Sequence, residues 1–120
     1  MTSSRSELYV HFNGRMTYGE NGVGYEGNDV KFIQLNNDIT FFELERRLII
    51  ALQLANQVED IKITYRYPQV MISPHVNYVP MLINDDEDVE IMLTLLQSTP
   101  MLNAAELYVE VESLTVGIVM

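Results

Sequence analysis

Asn84-Asp85-Asp86-Glu87-Asp88-Val89-Glu90 is the densest run of ionisable side chains in this sequence, and three chemistries could use it. A calcium loop needs oxygen ligands at alternating places, a glycine at the sixth and a glutamate at the twelfth. Counted from Asn84, those two places hold Val89 and Leu95, so the calcium reading fails. Acid–base catalysis needs carboxylates that converge across a cleft, whereas a run that opens a helix points its side chains several ways into solvent. Two readings remain. The acids cap and solvate a helix start, or they form a docking surface for Lys and Arg of a partner.

The other chemistry-bearing residues are sparse. There are two histidines, His11 and His75, and no cysteine. A disulfide framework and a thiolate zinc site are thereby excluded. Neither histidine has a partner at metal-ligand or triad spacing, so both read as ordinary surface or structural residues. Gly14, Gly19, Gly22, Gly24 and Gly27 are not followed by the Lys-Ser or Lys-Thr of a phosphate loop and read as turn makers. The sequence predicts a chain with no catalytic residues, no cofactor, no metal and no small-molecule substrate.

Charge bounds the partner. All seven Lys and Arg residues lie in the first 66 positions beside nine acids, whereas residues 67–120 hold eight acids and no Lys or Arg. The formal net charge of −10 argues against nucleic acid as a direct ligand, because phosphate binding needs a basic surface. It favours a partner with a basic face. With 48% apolar and 20% charged residues over 120 positions, the composition is that of one ordinary globular domain. Apolar runs such as Leu48 to Leu52 are too short to span a bilayer. Met1 to Ser6 lacks the order of a signal peptide. A soluble intracellular domain without a membrane partner is expected.

The elements that must position these residues follow from hydrophobic period and punctuation. Leu8, Val10 and Phe12 alternate with Tyr9, His11 and Asn13, which predicts a half-buried strand over 7–13. Asn13-Gly14 is a turn signal, with Arg15 to Tyr18 returning as a second strand. Gly19 to Asp29 reads as a long tip or loop, and Val30 to Leu35 as a further short strand continuing the second. Thr40-Phe41-Phe42-Glu43 is a capping box that opens a helix over 41–55, with Phe41, Leu44, Leu48, Leu52 and Ala55 on one face. Ile61 to Tyr67 is a third strand stopped by Pro68, followed by a loop over 69–77. Tyr78 to Ile83 is a fourth strand that Pro80 places at an edge. Asn84 or Asp85 caps a second helix whose core face is Val89, Met92, Leu93 and Leu96. The last strand is Ala105 to Glu112, with Leu107, Val109 and Val111 inward and Glu106, Tyr108, Glu110 and Glu112 outward. The order ββαββαβ predicts an α+β domain: a ubiquitin-like β-grasp in which a mixed sheet carries two helices and the last strand lies beside the first. Residues 1–6 read as a flexible N-terminus, 7–112 as the domain, and 113–120 as an apolar tail or extra strand.

Five stretches, in order, resemble the N-terminal domain of plant Mutator-type transposases and their domesticated relatives. They are Gly22-Val23-Gly24-Tyr25-Glu26-Gly27, Ile39-Thr40-Phe41-Phe42-Glu43-Leu44, Ile63-Thr64-Tyr65-Arg66-Tyr67-Pro68, residues 78–89 from Tyr78-Val79-Pro80 to Asp88-Val89, and Glu106-Leu107-Tyr108-Val109-Glu110-Val111. That domain is similar to the Phox-and-Bem-one (PB-one) interaction module, a β-grasp. The resemblance implies a nuclear protein that associates with itself or with a related domain, front to back, through an acidic motif and a basic patch. The acidic side would be Asp85, Asp86, Glu87, Asp88 and Glu90. The module's first-strand lysine matches Tyr9 or His11 here, which leaves Arg15, Arg46, Arg47 and His11 as basic candidates. The usual acidic turn after the third strand is replaced by Tyr65-Arg66-Tyr67-Pro68. Two other readings stand beside this one: a hydrophobic dimer through residues 114–120 or through Ile49, Ile50, Ile91 and Leu95, and a DNA-binding or catalytic transposase fragment, against which the charge and the missing constellation both speak.

Overall fold

The computed structural model describes residues 5–54, 60–72, 75–99 and 104–112. Along the chain run β1 (Arg5–Gly19), β2 (Gly22–Asn36), α1 (Phe41–Ala51), β3 (Asp60–Ile72), β4 (His75–Leu82), α2 (Asp86–Ser98) and β5 (Ala105–Glu112). The fold is α+β with one mixed sheet and two helices. β1 pairs antiparallel with β2 on one side and parallel with β5 on the other. β5 pairs antiparallel with β3, and β3 with β4. A single parallel pair, Gly22 with Tyr78, joins β2 to β4 and closes the sheet on itself. Among the described residues, no helix is long and apolar enough to cross a membrane.

The core lies between the helices and one face of the sheet. Leu8 and Val10 of β1, Leu44 and Leu48 of α1, Met92 of α2 and Leu107 of β5 are sealed from solvent within it. Burying one such side chain contributes about 1.5–3 kcal/mol, and the 3.6-residue period of both helices keeps that face continuous. β1 begins at Arg5, where Arg5 and Ser6 pair with Asn36 and Leu35, so the strand takes in the last two residues of the segment expected to be flexible. Residues 1–4 and 113–120 lie outside the described residues, the latter including the apolar tail.

Four local expectations are corrected. Asn13-Gly14 is not a turn: β1 runs through it, and the chain reverses between Gly19 and Gly22, which pair with each other. Asn13 does take the left-handed backbone the signal demands, at φ 60°, but as a kink within the strand. Gly14 then faces Gly27 with the Tyr25 ring against both, and a Cβ on either would overlap that ring. The expected loop over 19–29 is therefore mostly β2.

The first helix ends at Ala51, a turn earlier than its apolar pattern suggests. Gln53 stands at φ 58°, its N–H bonds the Ile50 carbonyl at 3.1 Å, and the Leu54 N–H bonds that of Ile49 at 2.9 Å. This is the Schellman closure, usually signalled by glycine, and the sequence carries glutamine there. Ala55 lies outside the described residues.

Pro68 does not stop β3 either. It is buried opposite Tyr78, and the register slips between Pro68 and Val70, so a bulge absorbs the missing donor while the hairpin continues to Ile72 and His75. In β5, finally, Val111 is 48% exposed although it was expected inward, and Tyr108 is buried although it was expected outward. The far half of the β1–β2 hairpin arches over the outer face of the sheet and covers Tyr108, bringing Val23 and Tyr25 with it.

Candidate functional site

The acidic run sits where two helix starts meet. Asp85 is the N-cap of α2, and its Oδ1 accepts the Asp88 N–H at 2.9 Å. The Asp88 carboxylate reaches back to the Asn84 N–H at 2.9 Å. Asp86 bonds outside its own helix, its Oδ1 accepting the N–H of Phe41, the first residue of α1, at 2.6 Å. Helix N-termini carry partial positive charge and unpaired N–H groups, so one carboxylate in the first turn of α2 also serves α1. Thr40 and Glu43 complete the reciprocal capping box at α1, as expected. Three of the five acids therefore have work inside the fold. Glu87 and Glu90 are exposed and make no hydrogen bond within the described residues.

Asp86 and Glu90 line an open groove of about 350 Å³ together with Asp38, Thr40, Thr94 and Gln97. Asp38 escaped the sequence reading. It lies 47 positions before Asp85, in a short connection without periodicity, and only the packing of α1 beside α2 brings it to the acidic run. No Lys or Arg stands within ion-pair distance of Asp38, Asp86, Glu87 or Glu90 among the described residues, whose ion pairs are all elsewhere. Nor does any group of three or more His, Asp or Glu side chains there have an arrangement that could hold a metal ion.

The basic candidates do not form one patch. Arg15 lies on the arch of the hairpin, exposed, and pairs with Glu26 at 3.1 Å. His11 is half-buried on the outer face of the sheet. Arg46 and Arg47 are exposed on α1: Arg46 lies over the Phe42 ring at 5.8 Å, and Arg47 donates to the Gln34 carbonyl of β2 at 3.1 Å. Lys31, which the sequence reading passed over, lines a groove with Arg47 between β2 and α1. Of the apolar candidates, Ile49 and Leu95 pack on the core, whereas Ile50 and Ile91 face solvent.

His11 belongs to a second cluster. Its Nε2 lies 3.2 Å from Glu106 Oε1, and Arg66 Nη1 donates to Glu106 Oε2 at 3.3 Å. Arg66 also donates through Nε to the Val23 carbonyl at 2.8 Å and stacks 3.5 Å over the Tyr78 ring. The rings of His11, Tyr25 and Tyr108 meet pairwise at 5.0–5.4 Å. The hydrogen bond from His11 holds the Glu106 carboxyl below its ordinary range; burial opposes this and Arg66 adds to it. Burial pushes the Tyr108 hydroxyl up to about 12. Both oxygens of the Glu106 carboxylate are spent in this cluster, and the described groups that pack against the imidazole are the Tyr25 and Tyr108 rings. The geometric effect of the cluster is to clamp the arch to β3, β4 and β5.

No protein-family model matches the chain, and no curated protein matches it.

Proposed function

We propose that this chain is a non-catalytic association domain that pairs the acidic groove of one molecule with a basic surface of another, either a second copy or a related domain. The observation that carries this reading is the uncompensated groove: Asp38, Asp86 and Glu90 line it, Glu87 flanks it, and no cation among the described residues answers them. Arg46 and Arg47 offer the complementary face, because neither meets a carboxylate among the described residues. Arg15 and His11 are already engaged by Glu26 and Glu106 and drop out of the basic side. One exposed ion pair contributes under about 1 kcal/mol, but several side by side give an oriented, salt-sensitive contact.

The finer fold and the family are part of the same proposal. A PB-one-like β-grasp is supported by the element order, by β5 lying parallel to β1, and by the five ordered motifs. The Gly22–Tyr78 closure is an addition to that scheme. On this reading the chain is the N-terminal association domain of a Mutator-transposase-like nuclear protein, or of a domesticated relative, with no direct hold on DNA.

Light scattering after size exclusion, at about 50 mM and about 500 mM salt, tests the charge pairing in the wild type and in Glu87→Lys plus Glu90→Lys. Those two positions are chosen because they make no capping bond, so the double variant stays folded, with a Tm lowered only by the unfavourable charge of a lysine at 87 in the first turn of α2. The expected result is a mass at low salt that falls at high salt, and a double variant of lower mass than the wild type at low salt. A salt-resistant oligomer that the double variant preserves would move the interface to apolar surface such as Ile50 and Ile91.

A further inference from the structure

Among the described residues, β2 is paired along its length with β1, but on its other side it pairs with β4 only at Gly22. Beyond that link no strand of the described residues covers it, with Arg66 and Arg47 holding the Val23 and Gln34 carbonyls toward its two ends, and uncovered edges pair with other chains unless something prevents it. Asp29, Val30, Lys31 and Phe32 are four consecutive exposed residues on this edge, with Val30 58% and Phe32 50% exposed. The Tyr9 ring, 5.2 Å from Phe32, extends the apolar surface onto β1. Lys31 has no carboxylate within ion-pair distance among the described residues, and a lone edge lysine ordinarily deters pairing. Here an aspartate stands two residues away on the same face of the strand; one of its oxygens accepts from Asn13 Nδ2 at 2.8 Å, which leaves the charge and the second oxygen for a partner.

That spacing decides the partner. When a strand pairs antiparallel with its own copy about a two-fold axis, one residue lies opposite itself, and the residues on either side of it face each other. With Val30 on the axis, Asp29 of each copy faces Lys31 of the other, twice by symmetry. Val30 packs on its own copy, and Phe32 lies outside it on the same face. An axis at Asp29 or Lys31 sets like charges opposite, and axes at 28 or 32 leave both charges without an opposite. We propose that the β2 edge is a self-complementary interface for a second copy of this chain, in antiparallel register centred on Val30. It is a surface separate from the acidic groove, and it does not depend on it.

Charge swaps at the two flanking positions test the register. Lys31→Asp alone sets four carboxylates around the axis, and Asp29→Lys alone sets four amines. Each should weaken self-association roughly tenfold or more, because two attractive cross-strand pairs become repulsive. Mixing the two single variants in equal amounts restores opposite charges at both pairs and should recover association as a heterodimer, and the double swap should recover it as a homodimer. Sedimentation equilibrium at low salt reads all four. Failure of the mixture and of the double swap to recover association overturns the register, and so does a wild type that stays monomeric at the highest soluble concentration. Glu87→Lys plus Glu90→Lys leaves this contact intact, so loss of association in that variant alone points to the groove instead.

Discussion

Glu106 spends both carboxylate oxygens, one on His11 and one on Arg66, and this fixes how the domain should meet acid. Its carboxyl is held below the ordinary value of 4.5 in the folded chain. A carboxyl depressed on folding contributes stability above its unfolded value, and that contribution is lost as pH falls through the folded value. Glu106→Gln should therefore be less stable at neutral pH, and it should lose less stability than the wild type on acidification below about pH 4.5. Urea midpoints measured across that range check this, and parallel curves for the two proteins would refute it. None of this could be read locally. The sequence marks Glu106 as an outward residue of a strand, and its partners lie 95 and 40 positions away. The acids at 85–88 were legible as helix-capping residues because capping bonds span three or four positions. The Asp86 bond to Phe41, across 45 positions, was not.

At the scale of the element, starts were easier to read than ends. Thr40 and Glu43, and Asp85, announce their helices through side chains that must contact nearby N–H groups. The end of α1 rests on backbone geometry at Gln53, which no side chain announces. Glycine reaches that left-handed geometry without the Cβ penalty. Gln53→Gly should therefore stabilise the domain by about 0.5–1 kcal/mol, offset in part by the greater freedom of the unfolded chain. Thermal unfolding reads the sign, and a lower Tm would mean that the glutamine side chain makes a contact worth more than the strain. The Asn13-Gly14 and Pro68 signals were locally correct, one as left-handed backbone and the other as a missing donor. A kink and a bulge absorbed them, because each strand had a partner on which to continue.

For the whole molecule, the alternation of apolar residues foretold which faces meet in the core, and it failed where the hairpin arch covers the opposite face. Alternation assumes that a sheet has one wet side. Here Tyr108 and Val23 are buried outside the helix-facing core because the chain returns over itself. Gly22 is the hinge of that return. Its φ of 98° is closed to other residues, and a Cβ would run into the Tyr78 carbonyl. Gly22→Ala should detach the arch from β4 while the helix-facing core survives. The expected readout is a lower Tm with retained far-ultraviolet dichroism and quenchable tyrosine fluorescence.

A sheet closed by one residue pair also has a built-in order of events. The β1–β2 hairpin needs only neighbouring residues to form, while the Gly22–Tyr78 link closes a loop of more than fifty residues, which costs chain entropy and comes late. What closes last opens first. In native-state hydrogen exchange, the amides beside the link, such as those of Val23 and Tyr78, should give up protection as a unit at a lower free energy than those of Leu8, Ile63 or Leu107. The domain would then behave as two layers of differing permanence, a lasting core under a cover that lifts and resettles.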